Sequence, residues 1–390
     1  MSLNLDKSTW TRVRLGDVVR RSRKQVDPFE AGVERYVAGG HIDGDSINIL
    51  RWGDPEDGQM GSTFRYVFEP GQILFVSARP YLRKSGVVDF SGVVADKTYV
   101  LDAIPENGLL QEFLPFILAS DPFVEYATAA ATGSMNPRLL WGPFQRFEFD
   151  LPSLDEQRRI ADLLWVVERH LQVISGECAR VEHLRGTCIE ANLPLNLSTL
   201  PLGDAASITS GVTLSPARRS LPDTAPYLRV ANVQRGNVDL SEIKQVGATA
   251  SEVASKGVRP GDVLVVEGHA SVDEIGRAAI WERDDSPLFQ NHLFCVRTSE
   301  GFRPNFILEW INSVGGRGYI RTVAKSTSGL NTINSTVLKS MPVPAVPVEL
   351  QDRLLARLDS IDRGRSALMT EAAALSTLRA SIITETFGGS

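Results

Sequence analysis

Asp262, Glu267 and His269 stand closest in this chain to a hydrolytic constellation. A nuclease built on such acids needs a lysine on an adjacent strand, and no lysine occupies that place. The five histidines (His41, His170, His183, His269 and His292) are scattered. His170 and His183 fall beside a helical apolar seam and read as flank residues. Cys178, Cys188 and Cys295 form no CxxC pair and are odd in number, which suits a reducing cytoplasm. Cys178 and Cys188 read as small apolar fillers rather than nucleophiles. There is no GxxxxGK[ST] phosphate loop, no GxSxG elbow and no glycine-rich fingerprint for a dinucleotide or S-adenosylmethionine. "SDPFVEY" (120–126) is one proline short of an amino-methyltransferase tetrad. The expectation is a chain with no catalytic residue, no metal site and no cofactor of its own.

Two basic clusters remain. "RVRLGDVVRRSRK" (12–24) carries six Arg or Lys against one Asp, and "SARPYLRKSG" gathers Arg79, Arg83 and Lys84 where a turn between strands is expected. The formal net charge of −6 argues against a surface that grips polyanions everywhere, yet it leaves room for local basic faces. With 43% hydrophobic and 23% charged residues, the 390-residue chain has the composition of a globular protein of two or three domains. No apolar run approaches the roughly 18–20 residues of a membrane span, so no membrane association is expected. The opening "MSLNLDKSTWTRVRL" lacks the apolar core of a signal peptide, and the expected location is cytoplasmic.

These clusters must be positioned by something, and the chain repeats itself in a way that shows what. "VRLGDVV" (13–19) matches "LPLGDAA" (200–206), and "PGQILFV" (70–76) matches "PGDVLVV" (260–266) as a Pro-Gly turn into a strand. "VVADKTYVL" (93–101) matches "LFQNHLFCV" (288–296), read as a strand with a short polar interruption. "FIL" recurs at 116–118 and 306–308 in helical context, and "GSMN" (133–136) resembles "SGLN" (328–331). Each half therefore reads as a mixed β/α domain of about 150 residues followed by one long helix.

The helices agree best. Ile160, Leu164, Val167, Leu171, Ile174, Cys178 and Val181 alternate spacings of four and three, and Arg185 and Cys188 continue them. An offset of 194 residues carries these positions onto Leu354, Leu358, Ile361, Arg365, Leu368, Ala372, Leu375, Arg379 and Ile382. An apolar repeat of about 3.5 residues is the coiled-coil pattern. Ser153 with Glu156 suits a capping box, and Pro347 with Glu349 suits a first helical turn. Each pattern runs about 30–35 residues, or roughly 50 Å of helix. A pseudo-two-fold duplication makes the two helices antiparallel, so the expected fold is α+β, with two similar domains separated and joined by an antiparallel coiled coil. The expected boundaries are a first domain over 1–152, a helix over 153–192, a second domain over 193–346 and a helix over 347–390. Arg185 and Arg379 are expected toward opposite ends of the seam, reaching water.

In this order the chain resembles the specificity (S) subunits of type I restriction-modification systems. The resemblance rests on "WTRVRLGDV" (10–18), "PGQILFVSARPYLRK" (70–84), "GSMNPRL" (133–139) and above all "LPSLDEQRRIADLL" (151–164). In the second half "LPLGDAA", "PGDVLVV", "TSGLNTI" (327–333) and "VPAVPVELQDRLLARLDSID" (343–362) carry it, with departures at Val348, Leu350 and Asp352 and with Gln351 retained. The resemblance implies two target-recognition domains, each reading one part of a split double-stranded DNA target. It further implies that the coiled coil sets the spacing between those parts, and that the partners are methyltransferase (M) subunits, two per chain, and endonuclease (R) subunits. Those partners would hold the S-adenosylmethionine, ATP and Mg that this chain lacks.

Base edges are read by bidentate donors and acceptors, and phosphates by Arg and Lys without sequence information. The first domain offers Arg79, Tyr81, Arg83 and Lys84 for readout and Arg20, Arg21, Arg23 and Lys24 for phosphate. The second offers Arg218 and Arg219 with the interruption Gln290, Asn291 and His292, while Asp273 and Glu274 weaken the turn "EGHASVDEIGR" (267–277). The small loops add Ser134, Asn136, Arg138, Ser328 and Asn331. Two other classes compete: a paired-domain scaffold that binds proteins, and a self-contained DNA-modifying enzyme. The missing motifs speak against the enzyme.

Overall fold

Each Leu-Gly-Asp stretch folds as one helical turn set between two strands. Leu15–Val18 joins Thr11–Arg14 to Val19–Ser22, and Leu202–Ala205 joins Thr199–Pro201 to Ala206–Ser210. The computed structural model describes residues 5–194, 196–327 and 329–388. The amide of Leu15 donates to the Phe147 carbonyl and that of Leu202 to the Met341 carbonyl, both at 2.8 Å. The strand ahead of each turn pairs antiparallel with the strand that leads into a long helix: Thr11–Arg14 with Glu148–Leu151, and Thr199–Pro201 with Pro342–Pro344. The chain forms two compact units, residues 1–176 with 369–390 and residues 177–368, so that each long helix gives residues to both.

Both units are built on the same four-stranded antiparallel sheet. In spatial order the first has Val19–Ser22, Thr98–Ala103, Ile73–Val76 and Ser85–Val87; the second has Ala206–Ser210, Leu293–Thr298, Val263–Val266 and Ala278–Ile280. "ILFV" and "VLVV" are near-continuous apolar runs because these strands are covered on both faces. Alternate side chains point opposite ways. Ile73 and Phe75 join Phe116, Ile117 and Phe123 of the helices Leu114–Ala119 and Asp121–Ala129, whereas Leu74 joins Val37, Phe68 and Val94 of a second, three-stranded sheet. In the second unit Val263 and Val265 pack with Phe306, Ile307 and Ile311 of the helix Pro304–Asn312. Leu264 and Val266 pack with Leu228 and Phe289 on the other face.

Neither 93–101 nor 288–296 is the single interrupted strand expected from the sequence. "VVADKTYVL" and its counterpart are each two strands in different sheets, Gly92–Ala95 then Thr98–Ala103, and Leu288–Phe289 then Leu293–Thr298. The polar residues between them are the crossing from one sheet to the other. The small sheets also differ: Gly92–Ala95 is central in the order Tyr36–Val37, Gly92–Ala95, Phe64–Phe68, whereas Thr224–Leu228 is central between Lys244–Gly247 and Leu288–Phe289.

The long helices, Leu154–Asn192 and Val348–Phe387, have 39 and 40 residues, longer than the apolar pattern alone suggested. Each is fastened to a domain by one buried glutamine. Gln157, fully buried, donates from Nε2 to the carbonyls of Gly108 (2.7 Å) and Pro152 (2.9 Å) and accepts at Oε1 from the Leu110 amide (2.9 Å). Gln351, also fully buried, donates to Gly301 (2.9 Å) and Val346 (2.9 Å) and accepts from the Arg303 amide (2.8 Å). Gly108 and Gly301, at φ 91° and 95°, take the left-handed conformation that turns these carbonyls toward the helix. A buried side chain whose amide is satisfied at both ends leaves little freedom in the angle between helix and domain.

Inside each unit the helices run antiparallel. In the first, Glu168 faces Arg379 (2.9 Å) and His170 faces Glu371 (2.9 Å), with Ile160 and Leu164 in one core with Ile382 and Ile383. In the second, Arg185 binds Asp362 (2.8 Å) and Glu182 lies 3.7 Å from Arg365, with Cys188 beside Leu354 and Leu358. Of the other seam residues, Val167 and Ile174 are buried, and Leu171, Ile361, Leu368 and Leu375 are half-buried. Arg185 and Arg379 do not reach out to water as expected. Arg185 is clamped by Asp362 and by both carboxylate oxygens of Glu309 (3.1 and 2.9 Å), and Arg379 neutralises Glu168, which is only 5% exposed. The capping box is half made: the Glu156 amide reaches Ser153 Oγ at 3.4 Å, but its carboxylate accepts instead from Trp10 Nε1 at 2.9 Å.

Two outcomes follow from these anchors. Gln157→Ala or Gln351→Ala strands a buried amide and two carbonyls, and each substitution lowers stability by about 2–4 kcal/mol, read as a shift of the urea midpoint. Burial holds the Glu168 carboxyl above its ordinary value even though Arg379 opposes the shift. A raised folded-state pKa means the penalty is absent below the unfolded carboxyl range and develops as pH rises through the folded value. Arg379→Ala therefore costs about 3–5 kcal/mol at neutral pH. The loss shrinks as pH falls toward ~4, measured by urea unfolding across pH.

Candidate nucleic-acid interface

One end of each four-stranded sheet meets its long helix; the other end carries the polar side chains. In the first unit this second end is formed where Ser22, Val76 and Thr98 finish or begin their strands. The turn after Ile73–Val76 folds as a short 3-10 helix, Pro80–Leu82, flanked by Arg79 and Arg83, both left-handed at φ 52° and 54°. The loop before the long helix is strapped to that turn. The Arg79 amide donates to Pro137 (2.7 Å) and the Leu139 amide to Ser77 (2.8 Å), while the Ser77 amide donates to Lys97 (2.8 Å).

The second unit repeats this strap bond for bond. The Ile333 amide donates to Glu267 (2.9 Å) and the Glu267 amide to His292 (3.0 Å), with His269 paired to Asn331. These bonds align Ser77 with Glu267, Lys97 with His292 and Pro137 with Asn331, which moves the "GSMN" and "SGLN" match by one residue. The backbone frame is therefore common to both units and its side chains are not.

The expected contact residues divide by what they already hold. Arg83 is braced by Asp45, Asp121 (2.8 Å) and the Ala119 carbonyl (2.5 Å), and Lys84 donates to the Gly39 carbonyl (2.5 Å). Arg138 bonds Ser77 Oγ (2.9 Å) and the Asp96 carbonyl (2.7 Å) and lies 3.3 Å from the Asp96 carboxylate. Arg218, 16% exposed at its side chain, holds Glu252 (2.6 Å) and the carbonyls of Thr213 (2.9 Å) and Gly247 (3.0 Å). These four brace loops. Arg21 lies over the Tyr99 ring (4.2 Å) and toward Tyr66 (5.5 Å), its Nε buried without a partner, and burial lowers its pKa from the ordinary guanidinium value. Arg20 lies 3.8 Å from Asp102, and Lys24 pairs with Glu69 at 3.1 Å; both pairs involve well-exposed cations and hold them weakly.

Arg23, Arg79 and Arg219 are exposed and their side chains make no hydrogen bond or ion pair among the described residues, and Tyr81 and Asn136 are exposed as well. Lys97 is an exposed cation of the same kind that the sequence reading passed over; it lies in the polar interruption that matches "QNH". The frame thus gathers Arg21, Arg79, Lys97 and Arg138 at one end of the first unit's sheet, with Asp96 among them. In the second unit Gln290 and His292 line a cavity of about 530 Å³ with Glu267, Lys325, Thr332 and Asn334. Gln290 accepts weakly from the Val230 amide (3.4 Å), Asn291 donates through its backbone to Val212 (3.2 Å), and Asn331 donates from its side chain to Ala270 (2.8 Å). Ser328 lies outside the described residues.

The hydrolytic grouping comes apart. Asp262 is buried against Arg297 (2.7 and 2.6 Å), Glu267 turns to His292, and His269 Nδ1 accepts from the Ser271 amide (3.0 Å). Among the described residues no three His, Cys, Asp or Glu side chains gather as a metal site. Burial, with Asp262 adding to it, pushes the Cys295 thiol up to about 12.

Known proteins resemble this chain in sequence and in fold. A curated relative, the specificity subunit of the type I restriction enzyme EcoKI of Escherichia coli (strain K12), is 24% identical over 170 residues, covering 42% of this chain and 37% of its own. The StySPI specificity subunit of Salmonella potsdam is 24% identical over 313 residues, covering 73% of this chain and 66% of its own. The chain is similar to type I specificity subunits. The alignments thus span less than two thirds of either curated relative. A solved chain of a type I restriction-modification system, from work on its assembly and conformational transition, matches 97% of this chain and 98% of its own at TM-score 0.60 and 21% identity. The type I S subunit of M. genitalium matches 100% of both chains at TM-score 0.54 and 13% identity. These structures share the fold. No model of a known protein family matches the chain, and no helix among the described residues is long and apolar enough to cross a membrane.

The division of cations gives a direct outcome. Arg83→Ala unfastens the turn and lowers the unfolding midpoint, by roughly 1–3 kcal/mol for the stranded partners. Arg79→Ala leaves the midpoint unchanged, and equal effects of the two substitutions in urea unfolding would contradict the assignment.

Proposed function

We propose that this chain is the DNA-recognition subunit of a type I restriction-modification complex, without catalysis of its own. The observation that carries the reading is one backbone frame, repeated down to single hydrogen bonds, that presents different side chains in its two copies. A reader of a two-part target needs that arrangement, because each part must be met in the same way and recognised differently. In this reading each unit takes one part of a double-stranded target. The free cations Arg23, Arg79, Lys97 and Arg219 contact phosphate or base edges, and the paired helices form an antiparallel coiled coil that sets the spacing.

The chain would dock two methyltransferase (M) subunits and endonuclease (R) subunits in the cytoplasm. Those partners would bring S-adenosylmethionine, ATP and Mg, and the chain's own residues would supply selection and geometry. The similarity to specificity subunits supports this assignment of partners.

The test is to co-express the chain with its methyltransferase and map the modified bases across a genome. A parent complex that modifies DNA without sequence preference overturns the reading. Removing one heptad from each long helix, residues 173–179 and 367–373, takes away about 10 Å of helix. The expected outcome is a spacer shorter by about three base pairs with both half-sites unchanged. An unchanged spacer counts against the coiled coil as the ruler.

A further inference from the structure

The two strapped turns are equivalent in backbone and differ in the hydrogen-bonding chemistry of their exposed side chains. At the first, Ser77, Lys97 and Arg138 occupy the three strap positions, and Arg79 follows in the turn. The exposed groups there, Lys97 and Arg79, can only donate. At the second, the same positions hold Glu267, His292 and Thr332. His292 Nδ1 lies 2.6 Å from Glu267 Oε2, and Glu267 Oε1 makes no hydrogen bond among the described residues. Both residues line the cavity of about 530 Å³, with the Gln290 side chain and Lys325 alongside. His292 is 56% exposed at its side chain and the Glu267 side chain 26%, so the carboxylate is reachable from solvent while being held in one orientation.

We infer that Glu267, oriented by His292, is a specificity-determining residue of the second unit and accepts a hydrogen bond from the exocyclic amino group of a cytosine. This rests on the DNA-recognition reading above. A carboxylate repels phosphate, so its place in such a surface is at a base edge rather than on the backbone, and the amino group of cytosine is the donor that a Glu accepts in the major groove. Lys325, on the same cavity, offsets the local negative charge. In the first unit the exposed cations Arg79 and Lys97 suit the opposite edge, the O6 and N7 acceptors of guanine. The different chemistry of the two half-sites follows from these side chains on one shared frame.

The experiment compares Glu267→Ala, His292→Ala and Lys97→Ala with the parent, each co-expressed with the methyltransferase partner, by mapping modified bases and by competition binding to variant target duplexes. Glu267→Ala should reduce discrimination for one cytosine by roughly tenfold or more. It should affect that base pair of one half-site only. His292→Ala should weaken the same position to a smaller degree, and Lys97→Ala should alter only the other half-site. Thermal unfolding of each variant within a degree or two of the parent keeps the comparison free of folding effects; Glu267→Leu, which keeps side-chain bulk and removes the acceptor, serves if Glu267→Ala unfolds. A parent that selects its target while Glu267→Ala or Glu267→Leu keeps every preference overturns this inference and leaves the recognition reading intact. A parent that selects no sequence overturns the reading itself.

Discussion

A single buried glutamine at the start of each long helix is the constraint on which the rest depends. Gln157 and Gln351 each meet two carbonyls and one amide from the domain, with no water needed to complete the set. Breaking one such set strands several buried polar groups together, so the helix leaves its domain all at once or not at all. The consequence reaches the far end of the sheet. The helix direction is fixed to the loops at 108–110 and 301–303, those loops to the sheet, and the sheet to the turns that carry the exposed cations.

The duplication persists where geometry is at stake and fails where chemistry is. The ion pairs Arg185 with Asp362 and Arg379 with Glu168 fall at matching positions of the two helices. Glu309, which adds a second acid to Arg185, has Ala119 as its counterpart, whose carbonyl instead receives Arg83. A buried pair is not strong evidence of added stability, because desolvation opposes the attraction. Its effect here is register: each arginine is matched to an acid of the other long helix and would strand it after a slip. Cations fully engaged in this way are structural, and of the ones left over Arg79 and Lys97 sit at the first strapped turn.

How far the sequence could be read depended on the kind of feature. The repeat, the heptads, the Pro-Gly strands and the turn over 77–86 were legible because local pattern and periodicity determine them. Gln351 stood out only as a retained letter; its role needed the partners that folding brings from fifty residues away. The strand over 93–101 was misread because a chain crossing between two sheets leaves the same apolar run as one long strand. Among the candidate contact residues, Arg83, Lys84, Arg138 and Arg218 were indistinguishable by type from Arg79 and Arg219. Composition says that a residue is cationic and not whether an acid or a carbonyl already holds it.

The sequence by itself determined that this protein is built twice, that each copy is a mixed β/α domain with a long heptad helix, and where the turns between strands fall. These follow from spacing along the chain, which is a local property. Only the tertiary structure decided which arginines are free, that Glu267 turns to His292 rather than to Asp262, and that one strap joins the loop before each helix to the turn after each buried strand. Those are contacts between residues distant in sequence, and side-chain hydrogen bonds form only when folding has set the distance and angle between donor and acceptor.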